Sequence, residues 1–422
     1  MSSAFPRLTS SGKPLPNVAI VGTGEYVTGF TPQGAAKSDK SLGVVALTHF
    51  HLRERGRIGE RIALIGTNGE KFPSIREHFR QNLTFTNIGS IEFEGFPKEG
   101  RNPLAYEEAL STFEPGDACI VFTPDDKHFD VCKAAMERGL HVMVTKPMVK
   151  TLAEHKELVR IAKEKGVLLQ IEMHKRFDPV YDDARQRIQA LGDFGHFVSY
   201  MSQPKLQLET FKEWAGISSD ISYYLNAHHI DFHVWAMQGI ALPVSVHALA
   251  ATGVAEKLLD RPCEDTITLN VVWKNLSGTV GTAVYTSSWV ASKADVHSQQ
   301  RFFCLMERAE VNVDQAHRGY SIAEDGVGYG CLNPLYIRNK PDSQGRYKGQ
   351  NSYGYVSFER FIEAVTAIRG GKADPASFND DLPTGEATLQ VTAILEAGRR
   401  SLDEKRTITI RYDDTNHVDC LE

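Results

Sequence analysis

The sequence lacks any long run of like charge, any closely spaced cysteine pair and any long apolar stretch, and each absence removes a class of function. Forty-seven Lys and Arg stand against fifty-three Asp and Glu, a formal charge of −6. A chain so balanced, with no basic tract, is a poor ligand for nucleic acid or an anionic membrane. The six cysteines, at 119, 132, 263, 304, 331 and 420, include no C-x-x-C, and a chain of 422 residues has no need of disulfide staples. A reducing compartment and no metal site are therefore expected. The opening stretch "MSSAFPRLTSSGKPLP" has no apolar h-region, and no apolar run approaches bilayer thickness, so a soluble, cytoplasmic protein is expected. The length exceeds what a single core usually fills, so two domains are expected.

What is present begins as an alternation. "VAIVGT", "RIALIGT", "DACIVFTP" and "HVMVTKP" read as short buried strands, and between them "LGVVALTHFHLRERG", "FPSIREHFRQNL" and "HFDVCKAAMERG" read as helices. Strand and helix in turn predict parallel βαβ units with helices on both faces of the sheet. The helix "EHKELVRIAKEK" and the run "VLLQIEMH" continue the series. After about residue 195 the texture becomes β-rich, as in "FGHFVSYMSQ", "PVSVHALAATG" and "DTITLNVVWKNLSGTVGTAVYTSSW", which predicts a mostly antiparallel sheet with one face to cover. Helical patterns "YVSFERFIEAVTAIRGG" and "TGEATLQVTAILEAGRRSLDE" are available to cover it or to pack on the first domain. The Gly-, Asn- and Tyr-rich segment from 317 to 350 reads as a long irregular loop. The division expected is 1–150 and 151–422.

The first strand ends in "IVGTGEYVTGF", with Gly22 and Gly24 where a dinucleotide-binding turn needs backbone to approach a pyrophosphate. The third glycine of G-x-G-x-x-G would fall on Val27, with Gly29 two residues later, so the stretch also reads as a glycine turn after a buried strand. The insertion "TPQGAAKSDKSLG" precedes the next helix, placed to widen the cradle or fold over a cofactor. At the end of the second strand an acidic residue would bind a ribose 2′-hydroxyl, whereas its absence beside a cation makes room for a 2′-phosphate. Thr67 and Asn68 occupy that place with Lys71 close by, which leans toward NADP(H) and leaves NAD open; Lys71 equally reads as a solvated turn lysine.

Three further stretches, "VFTPDDKHFDVCKAAMERGLHVMVTKPM", "LLQIEMHKRFDPVY" and "DISYYLNAHHIDFHVW", occur in that order. With the glycine turn they resemble the Gfo/Idh/MocA family of sugar and cyclitol oxidoreductases. The resemblance implies a Rossmann-type doubly wound parallel sheet, then an α+β domain with a large open, mostly antiparallel sheet for substrate binding and oligomerisation. It implies NADP or NAD as cofactor, held by Gly22, Thr23, Gly24, Tyr26, Val27, Thr67, Asn68 and Lys71, and by Thr123, Pro124, His128, Lys146 and Arg176. Thr145 replaces the glutamate that usually precedes the lysine.

In the same family a D-x-G-x-H-x-x-D element carries proton transfer. Matching it here puts the histidine at His228 and the last aspartate at Asp231, while Tyr224 and Asn226 replace the first aspartate and the glycine. The expected catalytic residues are Lys146, His228 and Tyr224, with Asn226 and His229 added as substrate contacts. A lysine at a strand's carboxyl end suits this work, because its charge stabilises an alkoxide. His228, His229 and His233 invite a metal reading, but no H-E-x-x-H accompanies them, and His233 reads as a satisfied helix histidine. Lys175 and Arg176 read equally as interdomain ion-pair partners. Trp289, Tyr285, His317 and Tyr320 are candidate sugar-facing rings, Tyr285 being better explained by sheet packing.

Three functions compete at this point. The leading reading is hydride transfer between a nicotinamide and a secondary alcohol or ketone of a sugar, sugar derivative or cyclitol. A redox-neutral glycoside-cleaving or eliminating enzyme with transiently used NAD(P) is the second, favoured by Tyr224. A non-catalytic NAD(P)-binding regulator is the third. Specificity is expected in loops 203–222 and 317–350, and the family implies a homodimer or homotetramer.

Overall fold

Four short runs in the first third of the chain are apolar, three of them from end to end and the fourth (HVMVT) in its middle, because helices cover the sheet on both faces. The computed structural model describes residues 8–9, 12–31, 34–35, 41–83, 86–337 and 342–422. Its first sheet contains β1 (Val18–Val21), β2 (Ile62–Ile65), β3 (Glu94–Phe96), β4 (Ala118–Val121), β5 (His141–Thr145) and β6 (Leu169–Glu172). The order is β3-β2-β1-β4-β5-β6, and every pairing is parallel. The chain winds one way from β1 to β3 and then returns to β4 on the other side of β1. Such a switch point opens a crevice at the carboxyl ends of β1 and β4. The short edge strand β3 has no apolar run to betray it in the sequence.

Helix Leu152–Lys165 shows how local chemistry sets these elements. Thr151 Oγ1 accepts from the backbone N–H of Glu154 at 3.2 Å and donates to its carboxylate at 2.9 Å, while Gly166 closes the other end with φ 63°. The helix leads into β6, so the parallel sheet runs past residue 150.

The second sheet contains β7 (Phe194–Pro204), β8 (Ala241–Thr252), β9 (Glu264–Asn275), β10 (Val280–Ala291), β11 (Gln299–Met306), β12 (Ala309–Asp314), β13 (Ile408–Tyr412) and β14 (Val418–Leu421). Its order is β12-β11-β7-β10-β9-β8-β13-β14; only β7 and β10 pair in parallel. Along β9, Ile267, Leu269, Val271 and Trp273 are buried while Asn270, Val272 and Lys274 are exposed, the alternation of a sheet covered on one face. Helices Ala227–Ala236 and Leu389–Glu404 contribute to that covered core. The other late helix, Tyr353–Arg369, buries Phe358, Phe361, Ile362 and Val365 with Val18, Ile20 and Ile120 of the parallel sheet. The two halves therefore interleave.

One expectation needs correction, and the stretch after β1 holds an element that the sequence did not announce. The segment from 317 to 350 is not wholly irregular: Ser321–Glu324 and Gly328–Cys331 form an antiparallel hairpin. The first helix after β1 lasts only one turn, Glu25–Thr28, and ends at Gly29 with φ 70°. The chain rejoins it when Val44 N donates to Tyr26 O at 2.8 Å, just before helix Val45–Glu54. Gly29 and Gly43 close the neck of this excursion: a Cβ on Gly29 would lie 2.2 Å from the Ser41 carbonyl oxygen, and one on Gly43 2.7 Å from that of Val27. Residues 32–33 and 36–40 of the insertion lie outside the described residues.

Candidate active site

At the switch point, Gly22 adopts φ 128° and comes so close to β4 that a Cβ there would lie 2.1 Å from the Phe122 carbonyl oxygen. Gly24 differs: its φ is −77°, and a Cβ would meet nothing within 4 Å. Gly22 thus lets the chain turn, and Gly24 presents bare backbone to open space, as a pyrophosphate cradle requires. Thr23 packs beside Gly66 at the end of β2. The Thr123 hydroxyl oxygen, after β4, is buried with no hydrogen-bond partner among the described residues. An open glycine edge and an orphaned hydroxyl are what a bound dinucleotide would complete. Val27 is buried in the core, and the Tyr26 ring stacks on Phe122 at 5.2 Å with its hydroxyl accepting from Tyr336 at 2.7 Å. Those two positions serve packing rather than the cradle.

After β2, Thr67 is exposed, and the Asn68 side chain accepts from the backbone N–H of Glu70 at 3.0 Å, capping the turn Gly69–Lys71. Lys71 is half-buried there. The backbone bridge between Asn68 and Arg101 brings a second, exposed cation to this strand end, which sequence spacing did not reveal.

Lys146 follows β5. Its Nζ donates to the Tyr224 carbonyl oxygen and lies 4.1 Å from the centroid of the Tyr224 ring, so the two expected residues do meet. The lysine turn is held by His128: Nδ1 lies 2.9 Å from the Pro147 carbonyl oxygen, and Nε2 lies 2.9 Å from that of Thr123. His128 is buried and spends both nitrogens on backbone, tying the Thr123 turn to the Lys146 turn, so it positions the site without lining it. Pro124 is exposed at the same turn.

The second half contributes one element. A π-helical turn, Ser222–Asn226, runs into helix Ala227–Ala236 and is capped by Asp220, whose carboxylate accepts from the N–H groups of Ser222 and Tyr223 at 2.8 and 2.9 Å. Such wide turns recur at functional sites. His228, in the first turn of the helix, is buried, and its Nδ1 has no partner among the described residues. Burial, then the charge of Lys146, hold the imidazole pKa well below its ordinary value. His228 is therefore neutral at pH 7, the form that accepts a proton.

Other expected residues face elsewhere. Arg176 forms a buried, two-pronged ion pair with Asp231 at 3.0 and 2.6 Å. The ion pairing weighed against cofactor contact is thus present, but both partners lie after β6, within the second part of the chain. Asn226 is buried, receiving 2.5 Å from the Ser287 hydroxyl and donating 3.1 Å to that of Ser222, so its amide belongs to the fold. His229 turns into the core, with Nε2 2.9 Å from the Tyr181 hydroxyl, and His233 lies 2.6 Å from that of Tyr285. The three rings meet different surroundings: His228 faces the His174 ring, His229 the Tyr181 hydroxyl and His233 the Tyr285 hydroxyl. Trp289 is fully buried, its indole N–H donating to the Glu264 carbonyl oxygen at 2.7 Å.

The structure adds groups that spacing had not singled out. Buried Glu172, at the end of β6, lies 3.2 Å from His174 Nδ1 and accepts 3.1 Å from the Ser357 hydroxyl. The His174 ring lies 5.1 Å from that of His228. A carboxylate-backed histidine therefore stands beside His228; the E-x-H spacing was its only signal. Lys175 is buried against the side-chain carbonyls of Gln300 and Gln315, and burial lowers its pKa to about 7. Phe211 and Trp214 pack at 5.2 and 5.0 Å on Tyr224, whose hydroxyl receives Gln203 at 3.4 Å, so the 203–222 loop forms one wall of the cleft.

Residues 16–173 match the family model described as an oxidoreductase family with an NAD-binding Rossmann fold, GFO_IDH_MocA. The chain is 37% identical to scyllo-inositol 2-dehydrogenase (NAD(+)) of Bacillus subtilis (strain 168) over 116 residues, 26% of this chain and 34% of that protein. The match thus spans about a third of that relative's length. Scyllo-inositol 2-dehydrogenase (NADP(+)) IolW of the same organism is 27% identical over 309 residues, 69% of this chain and 78% of the relative. Myo-inositol 2-dehydrogenase from Lactobacillus plantarum shares the fold with a TM-score of 0.64 at 16% identity, covering 94% of this chain and 100% of the other. With the glycine cradle, the T-P and K-P turns and the open second sheet in place, the chain resembles the Gfo/Idh/MocA family of oxidoreductases, whose model its residues 16–173 match.

Proposed function

We propose that this protein transfers a hydride between NADP(H) or NAD(H) and a secondary alcohol, or its ketone, on a sugar, sugar derivative or cyclitol. The observation that carries this reading is the meeting of Lys146, from the end of β5, with the Tyr224–His228 turn of the second half. When bound, the nicotinamide supplies the hydride acceptor or donor. The chain's own groups do the rest. The Lys146 ammonium stabilises an alkoxide, and the neutral His228 imidazole takes the hydroxyl proton. Glu172 holds the His174 ring beside it, and Tyr224 with Trp214 walls the substrate side.

NADP(H) is the cofactor proposed to bind at least as well as NAD(H). No carboxylate stands at Thr67 or Asn68 to repel a 2′-phosphate, and Lys71 and Arg101 lie near the strand end. Titration by intrinsic fluorescence measures both affinities. Lys71→Glu should weaken NADP(H) about tenfold or more, the worth of one charge-assisted hydrogen bond, with little change for NAD(H). Clearly tighter NAD(H) binding to the unaltered protein would reject the preference.

The reaction itself is tested by a screen of sugars and inositols with NAD+ and NADP+, read at the absorbance of the reduced nicotinamide. A substrate-dependent rise is expected. Product formation with flat absorbance would instead mark a redox-neutral enzyme. Tight dinucleotide binding without turnover of any of these compounds would mark a regulator. We also propose two domains, with the boundary expected at 150/151 moved past β6 because helix Leu152–Lys165 and β6 (Leu169–Glu172) complete the parallel sheet, and a homodimer or homotetramer formed through the open face of the second sheet. Light scattering on the eluting protein reads that assembly, and a monomer at micromolar concentration would reject it.

A further inference from the structure

Outside the cleft, three chain segments bring single metal-ligating side chains together: Asp295 from the β10–β11 loop, His317 after β12, and Cys331 at the end of the hairpin. Cys331 Sγ lies 3.1 Å from Asp295 Oδ2, His317 Nε2 lies 3.6 Å from the same oxygen, and all three ligand atoms fall within 4.8 Å of one another. Tetrahedral bond lengths to zinc would set such separations at about 3.4–3.6 Å, so only small side-chain adjustments are needed. The fourth group is Asp314. Its Oδ2 stands 3.0 Å from His317 Nδ1, while its Oδ1 accepts from the N–H groups of Ala316 and His317 at 3.0 and 3.2 Å. A carboxylate on one ring nitrogen with the other turned to a thiol and a second carboxylate is the arrangement that orients a metal-binding histidine.

We propose that Asp295, His317 and Cys331 bind one divalent zinc ion, with Asp314 orienting His317 and a water completing the tetrahedron. Thiolate, imidazole and carboxylate together suit zinc better than magnesium or calcium, which favour oxygen alone. Binding displaces the Cys331 thiol proton to solvent, so affinity rises with pH. The ion ties the root of the hairpin to the β10–β11 loop, where Cys331 N already donates to Asp295 O at 2.8 Å. Beyond this root the chain runs toward the cleft, where Asn333 donates to the Tyr353 hydroxyl at 3.1 Å and Tyr336 to that of Tyr26 at 2.7 Å. The role is a structural clip. The search for closely spaced cysteines could not disclose it, because each ligand comes from a different segment.

The test uses the full chain, stripped with chelator and titrated with Zn2+ by calorimetry and with Co2+ by absorbance. One saturable site per chain is expected, with a thiolate-to-cobalt charge-transfer band. Cys331→Ser should abolish the band, His317→Ala should abolish saturable binding, and Asp314→Asn should weaken zinc about 10- to 100-fold, as loss of a supporting carboxylate does. The substitutions lie at the ends of two strands and in a loop, all at least partly exposed, and unchanged far-ultraviolet circular dichroism verifies that each variant is folded. Absence of saturable binding, a cobalt complex without the thiolate band, or equal zinc affinity in Cys331→Ser would overturn the proposal and leave His317 an ion-pair partner of Asp295 and Asp314 only.

Discussion

In the proposed reaction His228 and Lys146 divide the labour of one proton. Burial and the neighbouring ammonium keep the imidazole uncharged, so it enters a reaction as an acceptor, while Lys146 stays directed at the Tyr224 ring and carbonyl. Lys146→Ala should therefore lower kcat by about 10²–10⁴ on a confirmed substrate, and His228→Ala by a comparable factor. Cofactor affinity should change far less in the histidine variant, because His228 comes from the second half. Tyr224→Phe removes only a hydroxyl that receives Gln203, so a small loss is expected; a loss equal to that of His228→Ala would transfer the proton role to the tyrosine. Near wild-type rates in both Lys146→Ala and His228→Ala would refute the assignment. With His228 as the proposed acceptor, a neutral ring, activity should hold as pH falls until the pH nears its depressed pKa, well under the ordinary value of 6.5.

Among the elements, the glycine turn after β1 separates two requirements that its motif runs together. Gly22 is demanded by the fold, since φ 128° and the Phe122 carbonyl leave no place for a methyl group. The fold makes no such demand at Gly24, because its φ of −77° suits any residue and the space beside it is open, so a glycine there fits the proposed dinucleotide. Gly24→Ala should keep the wild-type melting temperature, within the ±0.5 kcal/mol typical of surface changes, yet weaken dinucleotide binding about tenfold or more. Gly22→Ala should lose both. Unchanged affinity in folded Gly24→Ala would mean that the pyrophosphate lies elsewhere. The π-helical turn before His228 makes a similar point. The sequence shows a helical pattern there, but the wide turn depends on Asp220 capping it and on Ser287 gripping Asn226 from β10.

For the whole molecule, buried histidines set the acid limit of stability. Burial is the leading cause that lowers the pKa of His49, His141 and His155 from 6.5 to about 4, with Arg369 adding to the effect at His141. In the folded chain these rings stay neutral, whereas the unfolded chain takes up protons as pH falls below 6.5. Their contribution is thus intact above pH 6.5 and is lost progressively toward pH 4, on the order of 3 kcal/mol for each ring at the bottom of that window. The melting temperature should fall across it. His155→Gln can keep bonds to Thr392 Oγ1 and the Gly385 carbonyl while removing one titrating group. It should flatten the dependence of unfolding free energy on pH by up to about 1.4 kcal/mol per unit. An unchanged slope would show that His155 is not among the groups responsible.

The sequence by itself determined whatever depends on near neighbours. Strand and helix alternate with spacings short enough to read directly, the glycines follow the first strand, and Lys146-Pro147 and His228-x-x-Asp231 are local patterns. Tertiary structure decided which of these residues face the cleft. Arg176 and Asp231 look like two site residues until they are seen to bond each other across 55 positions, and Ser357 reaches Glu172 across 185. Adjacent His228 and His229 diverge because successive helix residues project about 100° apart, and only packing on Tyr181 says which one turns inward. Hydrophobic periodicity records that a side chain is buried, not what it meets there. The partner of a polar group is chosen by how separate elements dock, and that choice is written in the pairing of the two halves.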